Sequence, residues 1–556
     1  MRTQSHLRHV CTIAAVFFLL LISNLARATS SVAAYNVTQL NPPGATASFA
    51  IGLNNANDVV GNFTVSGVVE GFLRKGTLGT QYTTVAFPGA KNFTRANGIN
   101  DSTLIVGDFL GTDGFYHGFT LKESKYRQYD VNKGVASTSI FAVNNNGDFA
   151  GATGSGGSNQ GFVYIGSTVT TFYANGTDNT FALAINTSDE VVGQYYDASN
   201  NSHGYSRGAS GVITLIDYPG ATQTACLGIN DSGVISGWYV DSVGQTHGFI
   251  DSAGTFTSLP FFVASAINNA GNFVGWYLGP GAAGGVYSSY FANPTTLASF
   301  ANVEVPGAKD TSIYGINDTN FMAGVYTDSS GANHGLLYSK RKILDFEDPN
   351  AQPGTTKVLN LNSVDQVVGE YTNSSNEVVG FIDTGVYSDV LPPGAISSIA
   401  SGINNSIVVS GTYFNSSNAE FGFIFNGSYS TVTVPGSQGT WVWEVNDFGS
   451  ASVQYLDSNG FNQSALYDGS TFTPINVPGA YNSYAHSIDL FGDIAFTWSD
   501  AALNYHAAVL LGGSYYVFDA PGSTGTFCDG ISDLGAFAGN YTEAGTGTSV
   551  GFRGTL

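Results

Sequence analysis

"GINDSGVISGWYVDSVGQTHGFIDSAGTF", Gly228–Phe256, packs three Gly-bearing turns into 29 residues, with short apolar runs between them. The turns fall at Asp231–Gly233, Asp241–Gly244 and Asp251–Gly254. Turns this close leave room only for strands of five to seven residues, which is the pattern of antiparallel hairpins. The stretch returns at Gly315–Ser339 as "GINDTNFMAGVYTDSSGANHGLLYS". It is a building block rather than a single site.

Anchoring on the "IN" dipeptide gives Asn54, Asn100, Asn144, Asn186, Asn230, Asn268, Asn317, Asn362, Asn404 and Asn446, followed by degenerate copies at Asp489 and Ser532. Successive anchors lie 38 to 49 residues apart. Seven positions after the anchor, ten of the twelve units carry Gly, the exceptions being Val453 and Phe496. Nine positions after it, eleven of twelve are aromatic, with Thr153 the exception. A Gly at mid-strand marks a close approach, and the spacing suggests that a neighbouring unit makes it. The aromatic lies on the same face of the strand and would wedge between units. A "PGA" corner recurs at Pro88, Pro219, Pro306, Pro393 and Pro478, where a strand ends and no ladder donor is lost.

Four antiparallel strands per unit match the size of a propeller blade. A parallel β-helix has shorter coils and no hairpins. The expected fold is therefore an all-β propeller of about twelve four-stranded blades. Twelve exceeds the usual four to eight of one ring, so two six-bladed rings are the economical arrangement, residues 29–298 and 299–556. Ala33–Ala45, "AAYNVTQLNPPGA", reads as a fourth strand with its corner, whereas the chain stops at a third strand, "VGFRGTL". The N-terminal strand would complete blade six, and the strand near Phe300–Pro306 blade twelve. A five-plus-seven split or one large ring satisfies the same spacing.

Composition sets the compartment and excludes partners. Arg2 and Arg8, the apolar run Cys11–Ile22 and Ala26-Arg27-Ala28 form a secretory signal peptide over residues 1–28, cleaved near Ala28. Export without a membrane span is expected, since the run is too short to span. Without that leader, 15 basic residues face 40 acidic ones. Such a field repels phosphate backbones, so nucleic acid is not an expected partner. Charged residues make up only 10% of the chain, against about 25% in ordinary soluble proteins. Cys226 and Cys528 each stand four residues before their anchor, where other units carry Ala50, Ala96 or Ala182. They read as small buried residues rather than as a disulfide.

The pattern of IN turn, Gly, aromatic, Asp turn and His-Gly-Phe resembles the HAF family of bacterial extracellular repeats. The tripeptide stands at His117-Gly118-Phe119 and His247-Gly248-Phe249, and in varied form at His203, His334 and His506. Gly in place of the family's Ala is a departure. The resemblance implies secretion and a repeat architecture, and it brings no catalytic residues.

Little in the chain points to chemistry. The five tripeptide histidines recur in frame and are replaced by Val379 and Val550 elsewhere, which suits a hydrogen bond at the start of the third strand and not a catalytic base. His486 stands outside that set, without an acid partner visible in sequence. No cofactor and no metal are expected. The oxygen-rich turns at Asp197, Asp241 and Asp328 would suit calcium, but they lack the alternating ligands of a calcium loop. Trp238 and Trp276 occupy the variable position between the Gly and the aromatic in two consecutive units, and form the candidate ligand-binding platform. The reading is a secreted, non-catalytic binding or interaction scaffold for a glycan or a protein. The alternatives are an extracellular polysaccharide lyase or glycosidase with its residues at a ring centre, and a structural or adhesive surface protein.

Overall fold

The computed structural model describes residues 33–556 except 77–80, 156, 177–178, 260–262, 280–285 and 340–341, with backbone alone at 33, 277–279, 286–291 and 339. The leader expected over residues 1–28 lies outside the described residues. Among these residues there is no helix, and none long and apolar enough to cross a membrane. The strands form ten four-stranded antiparallel sheets and one eight-stranded sheet. Nine of the four-stranded sheets are one repeat each in chain order, as in Gln223–Ile229, Ile235–Val240, Thr246–Ser252 and Thr255–Leu259, and the tenth joins Ser299–Val303 to the last three strands. The result is a β-propeller-like repeat fold.

The anchor Asn explains the repetition. Its Oδ1 accepts the N–H groups two and four residues on, closing the turn, as Asn100 does for Ser102 and Leu104. Its Nδ2 donates to the backbone carbonyl of the next anchor. Asn54 donates to Asn100, Asn100 to Asn144, Asn144 to Asn186, Asn186 to Asn230, Asn230 to Asn268, and Asn268 back to Asn54, at 2.9–3.3 Å. The cycle closes on six sheets. A second series runs from Asn317 through Asn362, Asn404 and Asn446 to Asp489. It stops there, because a carboxylate has no N–H to pass on.

The N-terminal strand Ala33–Gln39 pairs with Val286–Thr296, and Ser299–Val303 pairs with Ser549–Thr555. Ala33–Gln39 also pairs on its other side with Ser514–Phe518. That second pairing makes the eight-stranded sheet and joins the sixth repeat to the eleventh. An edge strand offers unpaired N–H and C=O groups, and here one strand covers two edges. Val37 shares a buried core with Phe273 of the sixth repeat and Phe496 and Trp498 of the eleventh.

The recurrent Gly faces its own sheet and not a neighbouring one. A methyl group at Gly61 would overlap the carbonyl oxygen of Phe49 and come within 2.8 Å of the Phe72 ring, both from the same sheet. Register places that ring directly opposite. The two exceptions invert the pair: Val453 faces Ala465, and Phe496 faces Ala508. Volume is exchanged across the strands and the core stays filled. The aromatic two residues later is likewise held within its sheet. Tyr239 stacks on His247 opposite it (5.0 Å) and on Tyr218 from the corner leading into the sheet (3.6 Å).

The first and second strands of every repeat slip register four to two residues before the anchor, as between Cys226 and Gly228 or between Ala485 and Ser487. The residue in between, three before the anchor, is an extra one without a partner. Such a bulge re-aims a side chain. Cys226 and Cys528 sit beside it as buried free thiols, with burial raising their pKa.

Asn404→Asp keeps the acceptor that closes the turn and removes the donor to the Asn446 carbonyl. It is expected to cost about 1–3 kcal/mol, the usual loss for an unsatisfied buried partner, measured by urea unfolding. An unchanged midpoint would show that the anchor serves its own turn alone.

Candidate functional site

In the last six repeats the six bulged residues are Tyr314, Leu359, Ser401, Trp443, His486 and Asp529. All six line one cavity of about 240 Å³, together with Lys357, Asn360, Glu370 and Ile399. In the first six repeats the corresponding residues are Ile51, Asn97, Phe141, Leu183, Leu227 and Ser265, around a cavity of only about 80 Å³. The same backbone device thus presents a largely apolar set in one half and a polar, aromatic set in the other.

His486 finds its acid here. Its Nδ1 lies 2.6 Å from Asp529 Oδ1, with the two side chains 17% and 7% exposed. Asp529 stands one period later at the same offset from its anchor, so equivalent positions of consecutive repeats are in contact. Aligning the repeats by that offset would have found the pair. The Trp443 ring stacks on His486 at 4.8 Å and 13°, and its Nε1 donates to Gln454 Oε1 at 2.9 Å, which fixes the indole. Asp529 Oδ2 is buried without a hydrogen-bond partner among the described residues. Tyr314 is held at about 12, first by burial and then by the nearby Asp529 charge. Lys357 and Glu370 form an ion pair of 2.6 Å at the wall.

Between this cavity and the anchor turns lies Glu444. Enclosure by protein pushes its carboxyl up to about 7, against the lowering effect of bonds from the Ser487 hydroxyl, the Ile488 N–H and Asn360. Ser487 Oγ also accepts the Ile531 N–H at 3.1 Å. These contacts stand where the anchor series stops. The repeat gives way to its specialised residues in the tenth to twelfth repeat units.

Trp238 and Trp276 are placed elsewhere. Trp238 is half-buried on a second strand, opposite Ala225 and Gly248. Trp276 is half-buried, with its ring meeting the edge of Phe49 from the first repeat at 5.4 Å. Neither lines the cavity of the last six repeats.

The tripeptide histidines are structural. Each ties the second hairpin of its sheet, and in all but His247 the fourth strand as well. His117 lies 2.7 Å from Asp130 and 3.1 Å from Asp113, and His334 lies 2.9 Å from Glu347 and 3.3 Å from Asp328. The hairpin acids Asp197, Asp241 and Asp328 accept N–H groups two and four residues on, closing their own turns. Among the described residues no three of His, Cys, Asp and Glu are grouped to hold a metal.

No family model matches the sequence, and no curated protein matches it. Among solved structures it is similar to the SapL1 lectin in complex with α-methyl fucoside, at 14% identity over 45% of this chain and 94% of that one, with TM-score 0.31. It is also similar to AofleA from Arthrobotrys oligospora, at 15% identity over 50% and 85% of the two chains, with TM-score 0.30. A third is the β-propeller domain of the Trilobed protease from Pyrococcus furiosus, at 9% identity over 61% and 97%, with TM-score 0.20. Likeness at this level carries nothing about what the chain binds.

Burial opposes charge on His506, but Asp519 at 3.0 Å and Asp500 at 3.7 Å outweigh it and hold the imidazole at about 10. Its folded pKa is raised above the ordinary 6.5, so its stabilisation is complete below 6.5 and is lost as pH rises through about 10. His506→Asn is expected to cost about 3–5 kcal/mol at pH 6. By urea unfolding the gap from the native protein should narrow towards pH 10, and a gap independent of pH would contradict the ion pair.

Proposed function

We propose that the chain is a secreted, non-catalytic binding protein with HAF-type repeats. It is built as twelve blades in two six-bladed propellers, residues 29–298 and 299–556, and recognises a glycan in the centre of the second. The leader at residues 1–28 supports export. The closed Asn54-to-Asn268 cycle supports six blades in the first ring, and the pairings of Ala33–Gln39 and Ser299–Val303 support closure of each ring by an out-of-sequence strand.

One observation carries the glycan reading. A cavity of about 240 Å³ combines the stacked Trp443 and His486 rings with an Asp529 oxygen that has no hydrogen-bond partner among the described residues. Unpaired buried acceptors are costly, and a ligand hydroxyl would satisfy this one. Aromatic walls take the apolar face of a sugar ring, while Ser401, Lys357 and Glu370 offer donors and acceptors around it. Drug-sized ligands fill about 300–1,000 Å³, so this site suits a single ring. A purely structural or adhesive protein has no use for a cavity that combines aromatic walls with charged side chains.

The second reading, a lyase or glycosidase at the same place, is favoured by the His486–Asp529 pair. An imidazole oriented by a carboxylate is a common general base.

The test is a glycan-array screen of the mature protein beside Trp443→Ala and Trp238→Ala/Trp276→Ala variants. Binding is expected to fall at least about tenfold in the first variant and to persist in the second. The reverse result would move the site to the fifth and sixth blades. New reducing or unsaturated ends from an array-positive oligosaccharide, lost in His486→Ala, would establish the enzyme instead.

A further inference from the structure

The anchor turns of the last six sheets surround a second opening, separated from the ligand cavity by Glu444. The residue two places after each anchor stands at a turn tip. In the first six sheets these residues are Ala56, Ser102, Asn146, Ser188, Ser232 and Ala270, all small or polar. In the last six, four of them are Val364, Phe448, Phe491 and Leu534, at 65, 79, 74 and 75% exposed. Turn tips ordinarily select polar residues and Gly. A phenyl ring held in water there contributes nothing to the fold.

These side chains belong to one surface. Hydrogen bonds link successive turns, from the Ser363 N–H to Asn405, from the Asn405 N–H to Asp447 and from the Leu490 N–H to Asp533, at 2.7–2.9 Å. The turns that carry the apolar tips therefore adjoin around the opening, whose lining includes the residue before each of them, Ser363, Asp447, Leu490 and Asp533. Inside it stand Asp318, Asp447, Asp489 and Asp533, with Glu444 below, and among the described residues no Lys, Arg or His lines it. The matching opening of the first six sheets has only Asp101 and Asp231. Asp318 Oδ1 is buried without a hydrogen-bond partner among the described residues. The Asp533 carboxyl is held above its usual range, by burial first and then by the Asp318 and Asp447 charges.

We propose that this face docks a partner segment in which a lysine or arginine, flanked by apolar side chains, places its cation in the acidic opening and its apolar neighbours on the collar. Charge complementarity selects this occupant. A second copy of the chain would bring the same carboxylates face to face, and like charges set opposite each other are repulsive. An apolar partner alone would cover the acids without neutralising them, which is costly. Exposed aromatic residues are enriched where proteins dock, and so is the arginine of a partner.

The probe is a labelled peptide, Ac-Leu-Leu-Arg-Leu-Leu-NH2, titrated into the full mature protein by fluorescence polarisation. It is compared with analogues carrying citrulline or Glu for Arg, or Ser for all Leu. Saturable binding is expected, weakened at least about tenfold by citrulline, by Ser for Leu, and by the collar variant Phe448→Ser/Phe491→Ser/Leu534→Ser. Asp533→Asn, which keeps the acceptor for the Leu490 N–H, is expected to weaken it as well. The collar side chains are exposed, so the triple variant should unfold at the native midpoint, and circular dichroism checks this. Absence of binding, equal binding of the Glu peptide, or binding that survives the collar variant overturns the proposal. A dimer seen by sedimentation and lost in the collar variant also overturns it, in favour of self-association.

Discussion

A buried carboxamide holds this molecule together. Each anchor Asn spends its oxygen on its own turn and its nitrogen on the carbonyl of the next anchor. One side chain thus shapes a hairpin and fixes where the following sheet sits. Only Asn supplies both halves at this length: Asp lacks the donor, and Ser lacks the reach. Burial makes the exchange obligatory, because an unmet amide group in the interior costs more than the bond contributes net. The low charge content follows from the same economy, with neutral amides and hydroxyls closing the turns.

The site departs from that rule. Asp489 and Ser532 break the anchor series in the eleventh and twelfth repeats. Beside them, Trp443, His486 and Asp529 occupy the bulged positions that elsewhere hold mainly apolar residues. Asp489, no longer an amide, is pushed up to about 6, by burial ahead of its acidic neighbours. The repeat is regular in the first half, and in the second it breaks where the polar and aromatic side chains gather.

Much of the fold was legible because its signals are local. Turn residues, the period and the Pro corners act within a few positions, and they read directly as four-stranded antiparallel repeats. What depends on register was misread. The recurrent Gly suggested a neighbouring unit, yet the obstacle is the Phe of the next strand in its own sheet, as the Val453–Ala465 inversion makes plain. The pairing of Ala33–Gln39 with Ser514–Phe518 left no local trace. The cavity was illegible for a related reason. A bulge breaks the alternation that assigns faces to a strand, so no pattern of two marks His486 as inward. Its partner lies 43 residues away. The one available signal was the shared offset from successive anchors, a column that reads Tyr314, Leu359, Ser401, Trp443, His486, Asp529.

The most direct test of this account is a crystal structure of the mature protein soaked with the saccharide that the array selects. Density in the cavity of the last six sheets, with a hydroxyl within hydrogen-bond reach of Asp529 Oδ2 and a ring against Trp443, is the expected result. Density against Trp238 or Trp276 with that cavity empty would contradict it.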